Sequence, residues 1–181
     1  ESASSVRFYS SPGVSYSTSL QAEFNYSPFK RFEIKAAYRF QDVQADYITE
    51  AGTLNRLSKP FLNRDRVLVN LAYATAYEIW KYDLTWQWNG SRRIPNATIG
   101  HLHTASSVVV EAPAFSTVNA QVTRQFKKWE LYLGAENLFN FTQTNPIMSA
   151  KDPFAMGFDA SMVWGPITGT MVYTGMRFKI N

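Results

Sequence analysis

The 181-residue chain contains no cysteine, so it can build neither a disulfide framework nor a thiolate metal site. Charge is scarce: Asp, Glu, Lys and Arg make up 18% of the residues, against about a quarter in an ordinary soluble domain. Long apolar runs are missing too. No stretch of ~18 apolar residues exists, which excludes a membrane-spanning helix. The formal net charge is +4, but the cations are scattered. No basic block exceeds a pair such as Arg92-Arg93 or Lys127-Lys128, so the concentrated basic footprint of a nucleic-acid-binding protein is absent. The opening residues, ESASSVRFYSS, lack the basic start and apolar run of a signal peptide. The chain is therefore expected to be cytosolic or a piece of something whose targeting segment lies elsewhere. What is abundant is aromatic: 15% of the residues, supplied mainly by ten tyrosines and thirteen phenylalanines.

The aromatic residues are not spread at random. In the stretch 79–89, IWKYDLTWQWN, positions 80, 82, 84, 86 and 88 are Trp, Tyr, Leu, Trp and Trp. Lys81, Asp83, Thr85, Gln87 and Asn89 alternate with them. A strand sends alternate side chains to opposite faces, so this pattern predicts one large apolar face and one polar face. An outward apolar band with a polar interior is the pattern of a membrane barrel strand.

The pattern recurs along the chain. Strands are predicted at 14–27, 31–41, 64–74, 79–89, 114–126, from 129, and at 167–180. Short turns alternate strictly with long loops at 43–63, 90–113 and 141–165. Bacterial outer-membrane barrels have this asymmetry, with short periplasmic turns and long outer loops. Aromatic residues stand beside each short turn: Tyr26, Phe29 and Phe32, then Trp80, then Phe126 with Trp129. Such rings settle at the membrane interface and predict a girdle. A soluble ligand-binding barrel also alternates, with its apolar face inward. It has no reason to place long loops at one end only or to ring its short turns with Trp and Phe. Seven strands are also an odd count for closure, since single-chain bacterial barrels have an even number from eight upward. An open sheet edge cannot sit in lipid, so the fold class expected is an antiparallel all-β transmembrane barrel segment that pairs with more barrel, upstream or on another chain.

Five stretches resemble a known family. Gly134-Ala135-Glu136-Asn137-Leu138-Phe139-Asn140 resembles the G-x-x-N-L-F-N signature near the carboxyl end of TonB-dependent outer-membrane receptors. Lys59-Pro60-Phe61-Leu62-Asn63-Arg64-Asp65-Arg66 is similar to the family's K-P-x-x-P-R-H-R strand entry, with Asn63 and Asp65 departing from the commonest residues. Gly90 with Arg92, Arg93 and Pro95 is similar to the loop after the family's W-x-G strand. The ending Tyr173-Thr174-Gly175-Met176-Arg177-Phe178-Lys179-Ile180 resembles the terminal strand, followed here by Asn181. The segment 142–165 resembles receptors of the Bacteroidota type. The resemblance implies the last seven strands of a twenty-two-stranded barrel, with residues 1–181 forming one part of a single barrel domain. The plug, and the segment that meets the TonB complex, would lie upstream. It further implies import of a scarce nutrient such as a metal chelate, cobalamin or oligosaccharide, with outer-membrane lipid and a surface lipoprotein as further partners. No cofactor, metal or nucleic acid is implied.

The candidate site residues fall into three groups. His101 and His103, with Arg92 and Arg93, lie in one long loop and are candidates for substrate contact, the imidazoles for a metal chelate and the guanidinium forks for anionic groups. Glu23, Glu33, Lys35, Arg39, Lys81, Asp83, Glu130, Glu136 and Arg177 have interior parity and are candidates for plug contact or simply for a wet barrel wall. Tyr26, Phe29, Phe32, Trp80, Phe126 and Trp129 form the girdle. Asp152 and Asp159 with Met148, Met156 and Met162 match no metal-binding spacing, while Phe154, Phe158 and Trp164 suggest a loop packed on itself. A hydrolase at the barrel rim would need Ser106 or Ser107 with the two histidines, but no acid stands in a matching position. No enzyme is expected. A small outer-membrane barrel enzyme or porin, and a soluble ligand-binding barrel, remain the alternative readings.

Overall fold

A computed structural model of the chain describes residues 13–48, 53–94, 110–144, 146–147, 150–154, 158, 160 and 163–180. Its strands are β1 (Ser15–Phe29), β2 (Phe32–Ile48), β3 (Leu54–Ser58), β4 (Asp65–Ala74), β5 (Trp80–Asn89), β6 (Arg92–Ile94), β7 (Val110–Ala112), β8 (Phe115–Gln125), β9 (Trp129–Glu136) and β10 (Met171–Phe178). Seven of them form one continuous ladder in the order β1-β2-β4-β5-β8-β9-β10, with β3 attached to β2 beside it. Every pairing is antiparallel, so the path is an up-and-down meander. The only helical element among the described residues is one 3-10 turn, Ala76–Glu78.

The register carries the alternation of one strand across the whole sheet. Phe24 faces Ala36, which faces Val69, then Trp86, then Val118. Ala120 faces Ala135, and Ala135 faces Val172. Directly opposed residues share a face, so the apolar parities of all seven strands merge into a single apolar surface. That surface is uncovered: Leu20 is 63% and Met176 65% exposed. Among the described residues only Ala112 (1%) and Val118 (8%) are buried hydrophobic side chains. The described residues form no second layer against which the apolar face could pack, whereas a soluble sandwich or closed barrel buries that face.

The structure changes the expected boundaries in three places. First, β1 runs on through Pro28 to Phe29, with a register shift between Tyr26 and Phe29. The bulge reverses the parity, so Phe29 joins the apolar face and stacks on Phe32 at 4.9 Å. The turn is thereby reduced to Lys30-Arg31, with Arg31 at φ 68°. Second, the loops 43–63 and 90–113 carry strands of their own. β2 projects past its last pair with β4, Phe40 with Asp65, and zips to β3. Asp46 pins this projection: it accepts a bidentate fork from Arg56 (2.8 and 3.0 Å) and the main-chain N–H of Val14 (2.8 Å). These bonds hold its carboxyl below the usual 3.8, Arg56 being the larger cause. β6 and β7 likewise extend the β5–β8 hairpin. Third, the last strand begins at Met171, not at 167, because Thr168 and Thr170 are held in a turn described below.

Candidate functional site

The polar face has two regions. Toward the short turns its charges neutralise one another. Lys35 pairs with Glu23 at 2.9 Å, Arg177 with Glu130 at 2.6 Å, and Lys81 with Glu78 at 2.8 Å. Asn70 donates to Asp83 (3.0 Å) and to the hydroxyl of Thr85 (2.9 Å). Glu33, Lys81, Asp83, Glu130 and Arg177 share the lining of an open concavity of about 750 Å³. Two glycines shape the same face. A Cβ on Gly134 would meet the Tyr173 ring at 2.3 Å, and one on Gly175 would meet the Tyr132 hydroxyl at 2.2 Å. Each tyrosine therefore lies across the bare backbone directly opposite it, covering a position that would otherwise weaken the strand. Tyr173 also donates to Gln121 at 3.0 Å.

Toward the long loops the polar face turns basic. Gln21, Arg39, Arg66, Asn89 and Phe115 stand opposite one another in a row across five strands. Arg39 and Arg66 are direct cross-strand partners. Like charges directly opposite each other destabilise a sheet, and no carboxylate stands in the row to offset them. Both line a pocket of about 170 Å³ with Gln21, Gln87 and Asn89. Arg92 closes the row from above, with its guanidinium 5.7 Å from the Phe115 ring. Burial, and secondarily the charge of Arg66, both disfavour the positive form of Arg92. Its Nε, like that of Arg93, is buried without a hydrogen-bond partner. Arg93 instead donates through Nη1 to the Ser58 carbonyl at 2.8 Å and lies 5.3 Å from the Tyr47 ring. It thus ties the β6–β7 hairpin to β3. An aromatic group sits beside Arg92: Phe115 stacks on Phe141 at 5.0 Å, and Trp164 tilts against both.

The turn after β9 fixes this aromatic group in place. Asn137 is 7% exposed and sits at φ 52°, a left-handed conformation that Asn tolerates better than most residues. Its Nδ2 donates to the carbonyls of Phe141 (2.7 Å) and Thr168 (3.2 Å), and its Oδ1 accepts from the Phe141 N–H (3.1 Å). Its own N–H donates to Asn119 Oδ1 at 3.0 Å. Asn140, also left-handed at φ 52°, accepts from the Thr170 N–H at 3.0 Å. The two asparagines of the N-L-F-N signature are thus structural. They tie the end of β9 to the start of β10 across the long loop 141–165. Gln143 continues the tie, accepting from the N–H groups of Trp164 (2.7 Å) and Gly165 (3.0 Å).

The candidate residues divide accordingly. Glu23, Lys35, Lys81, Glu130 and Arg177 are engaged in ion pairs, and Asp83 accepts from Asn70. Among the described residues Arg39 has no anion beside it, and Glu33 and Glu136 have no side-chain partner. Arg92 stands beyond the basic row, against Phe115. His101 and His103 lie outside the described residues, as do Met148, Met156, Asp159 and Met162. Of the loop aromatics expected to pack together, Trp164 does so, whereas Phe154 is almost fully exposed. The residues expected to form a girdle make contacting pairs along the short-turn end. Phe126 stacks on Trp129 at 3.8 Å, Phe32 tilts on Tyr73, Trp80 lies over Tyr82, and Tyr26 neighbours Phe24. Two residues given no role from sequence alone stand out. Arg66 faces Arg39, and its signal was interior parity in β4. Arg124 breaks the apolar parity of β8.

No protein-family model and no curated protein matches the chain. Solved structures do. A mutant form of the ferric enterobactin receptor PfeA of Pseudomonas aeruginosa aligns over 87% of this chain with a TM-score of 0.58 and 15% identity. The ferric-catecholate import receptor Fiu of E. coli, in its closed form, aligns over 91% with a TM-score of 0.59 and 10% identity. The chain spans about a fifth of either receptor, 21% in both cases. The seven-strand meander with one apolar and one polar face therefore has the fold of a stretch of receptor barrel wall.

Proposed function

We propose that this chain is the carboxyl-terminal wall segment of a TonB-dependent active transporter of the bacterial outer membrane, and that its cargo is an anionic metal chelate. The observation that carries the reading is the two-faced ladder: an uncovered apolar surface across seven strands, backed by a polar surface whose loop end holds Arg39, Arg66 and Arg92 with no carboxylate directly opposite any of them among the described residues. Lipid is the environment that accepts the first face. The second would line a wet lumen, with the short turns at the periplasmic side and the long loops outside. β1 and β10 each leave one edge unpaired in this ladder. Unpaired strand edges cost several kcal/mol per group in lipid, so both edges would join further strands of the same barrel. A plug enclosed by that barrel would make the contact with TonB. Among metal chelates, cobalamin and oligosaccharides, a negatively charged chelate best suits two opposed arginines and a half-buried third. Guanidinium forks match oxyanions bidentately. The two similar receptors are named for ferric enterobactin and for ferric catecholates.

Uptake tests this reading. Disruption of the gene encoding the chain should abolish growth on an anionic ferric chelate under iron limitation, to the same extent as loss of TonB, and leave growth on neutral oligosaccharides unchanged. Chelate uptake that survives loss of the gene, or that persists without TonB, would contradict it.

A further inference from the structure

Arg124 is the exception on the apolar face. It is opposed by Trp80 on β5 and Leu131 on β9, so its parity is outward. The other outward-facing charges in the ladder and its β3 extension, Asp42, Asp46, Arg56 and Asp65, all lie at the long-loop end. Arg124 stands alone at the opposite end, one row from the turn. Its guanidinium lies between two girdle rings, 5.0 Å from the Trp80 centroid and 4.9 Å from that of Phe126. Among the described residues it has no ion pair and no hydrogen bond from its side chain. Ring faces offset part of the cost of a cation at an interface, but they satisfy none of its N–H donors.

The acids nearby are engaged elsewhere. Glu130 points inward to Arg177, and Glu78 is held by Lys81. The neighbouring charge is positive. Lys127 and Lys128 form the β8–β9 turn, and the Lys179 N–H donates to the Lys128 carbonyl at 2.8 Å, which brings the end of β10 alongside. A flat guanidinium fork, held between two rings on a lipid-exposed surface and flanked by lysines, is complementary to a phosphodiester with net negative charge.

We propose that Arg124, Trp80 and Phe126 form a binding site for the headgroup phosphate of an anionic glycerophospholipid, such as phosphatidylglycerol, in the leaflet at the short-turn end. Trp80 and Phe126 hold the guanidinium flat against the wall at headgroup depth. Lys127 and Lys128 favour anionic over zwitterionic headgroups. The site rests on the membrane-barrel reading above.

The test uses the full-length protein, extracted in detergent, with lipid retention read by native mass spectrometry after addition of phosphatidylglycerol or phosphatidylcholine. The wild type should retain phosphatidylglycerol in preference. Arg124→Gln should lower that retention about fivefold, and Arg124→Lys, which keeps the charge and loses the fork, should fall between. Each variant is checked for heat-modifiable gel migration, so that a misfolded barrel is recognised; in that case Lys127→Gln with Lys128→Gln must reduce the preference instead. Equal retention by wild type and Arg124→Gln in a folded, detergent-bound protein would overturn the site alone. A protein that stays soluble without detergent would overturn the membrane reading beneath it.

Discussion

Asn137→Ala should destabilise the barrel by about 3–5 kcal/mol. The substitution removes three side-chain hydrogen bonds at a buried position. It strands the N–H and carbonyl of Phe141 and the carbonyl of Thr168, all in partly buried bonds, so each costs toward the lower end of the about 1–3 kcal/mol of a fully buried unsatisfied group. It also places alanine at φ 52°, which adds roughly 1 kcal/mol. Asn137→Gly separates the two causes, because glycine accepts the backbone conformation and still loses the bonds. It should recover only the last ~1 kcal/mol. The measurement is urea unfolding of the full-length protein in lipid vesicles, followed by tryptophan fluorescence. An Asn137→Ala variant within 1 kcal/mol of wild type would mean that the turn is held by its neighbours and that the signature has another purpose.

Arg39→Ala and Arg66→Ala should act in opposite directions on stability and on cargo. Each removes one of two like charges opposed in the ladder, so the cargo-free protein should be as stable as wild type or slightly more so. Each also removes a charged donor from the proposed cargo-facing pocket. Affinity for an anionic ferric chelate should fall roughly tenfold or more, the loss expected for a hydrogen bond to a charged group. A neutral ligand should be unaffected. Titration calorimetry on the purified full-length protein reads the affinity, and thermal unfolding reads the stability. Lower stability with unchanged affinity would show that the two arginines meet carboxylates of the plug and that cargo binds elsewhere.

The sequence was most legible where chemistry contrasts between the two faces. On β5, Trp, Tyr and Leu alternate with Lys, Asp and Gln, so the strand and its two faces follow from period two alone. Legibility failed where that contrast reverses. In the outer part of β2, Asp42, Gln44 and Asp46 take the parity that is apolar nearer the turn, and Val43, Ala45 and Tyr47 take the other, so its continuation to Ile48 and its pairing with β3 did not extend the pattern of 31–41. A single bulge at Pro28 inverted parity, yet Phe29 was still read into the girdle because an aromatic residue beside a turn is a signal independent of parity. The reading that the last strand starts near 167 failed because an apolar Ile167 looks like strand while Thr168 is held by Asn137. The basic row was half visible. Arg39 and Arg92 could be named from sequence, but their meeting with Arg66 depends on register and loop path, which one chain's residue order does not specify.

The most direct measurement is a parity scan of β5. The chain has no cysteine, so each introduced thiol is the only one in this segment. Single replacements at Tyr82, Leu84 and Trp86, and at Asp83, Thr85 and Gln87, would be spin-labelled in the full-length protein in native outer membranes. Collision with oxygen, which concentrates in the bilayer, is compared with collision with a water-soluble nickel chelate. A lipid-facing wall predicts oxygen accessibility at 82, 84 and 86 and nickel accessibility at 83, 85 and 87. Nickel accessibility at 82, 84 and 86, or no alternation at all, would contradict it.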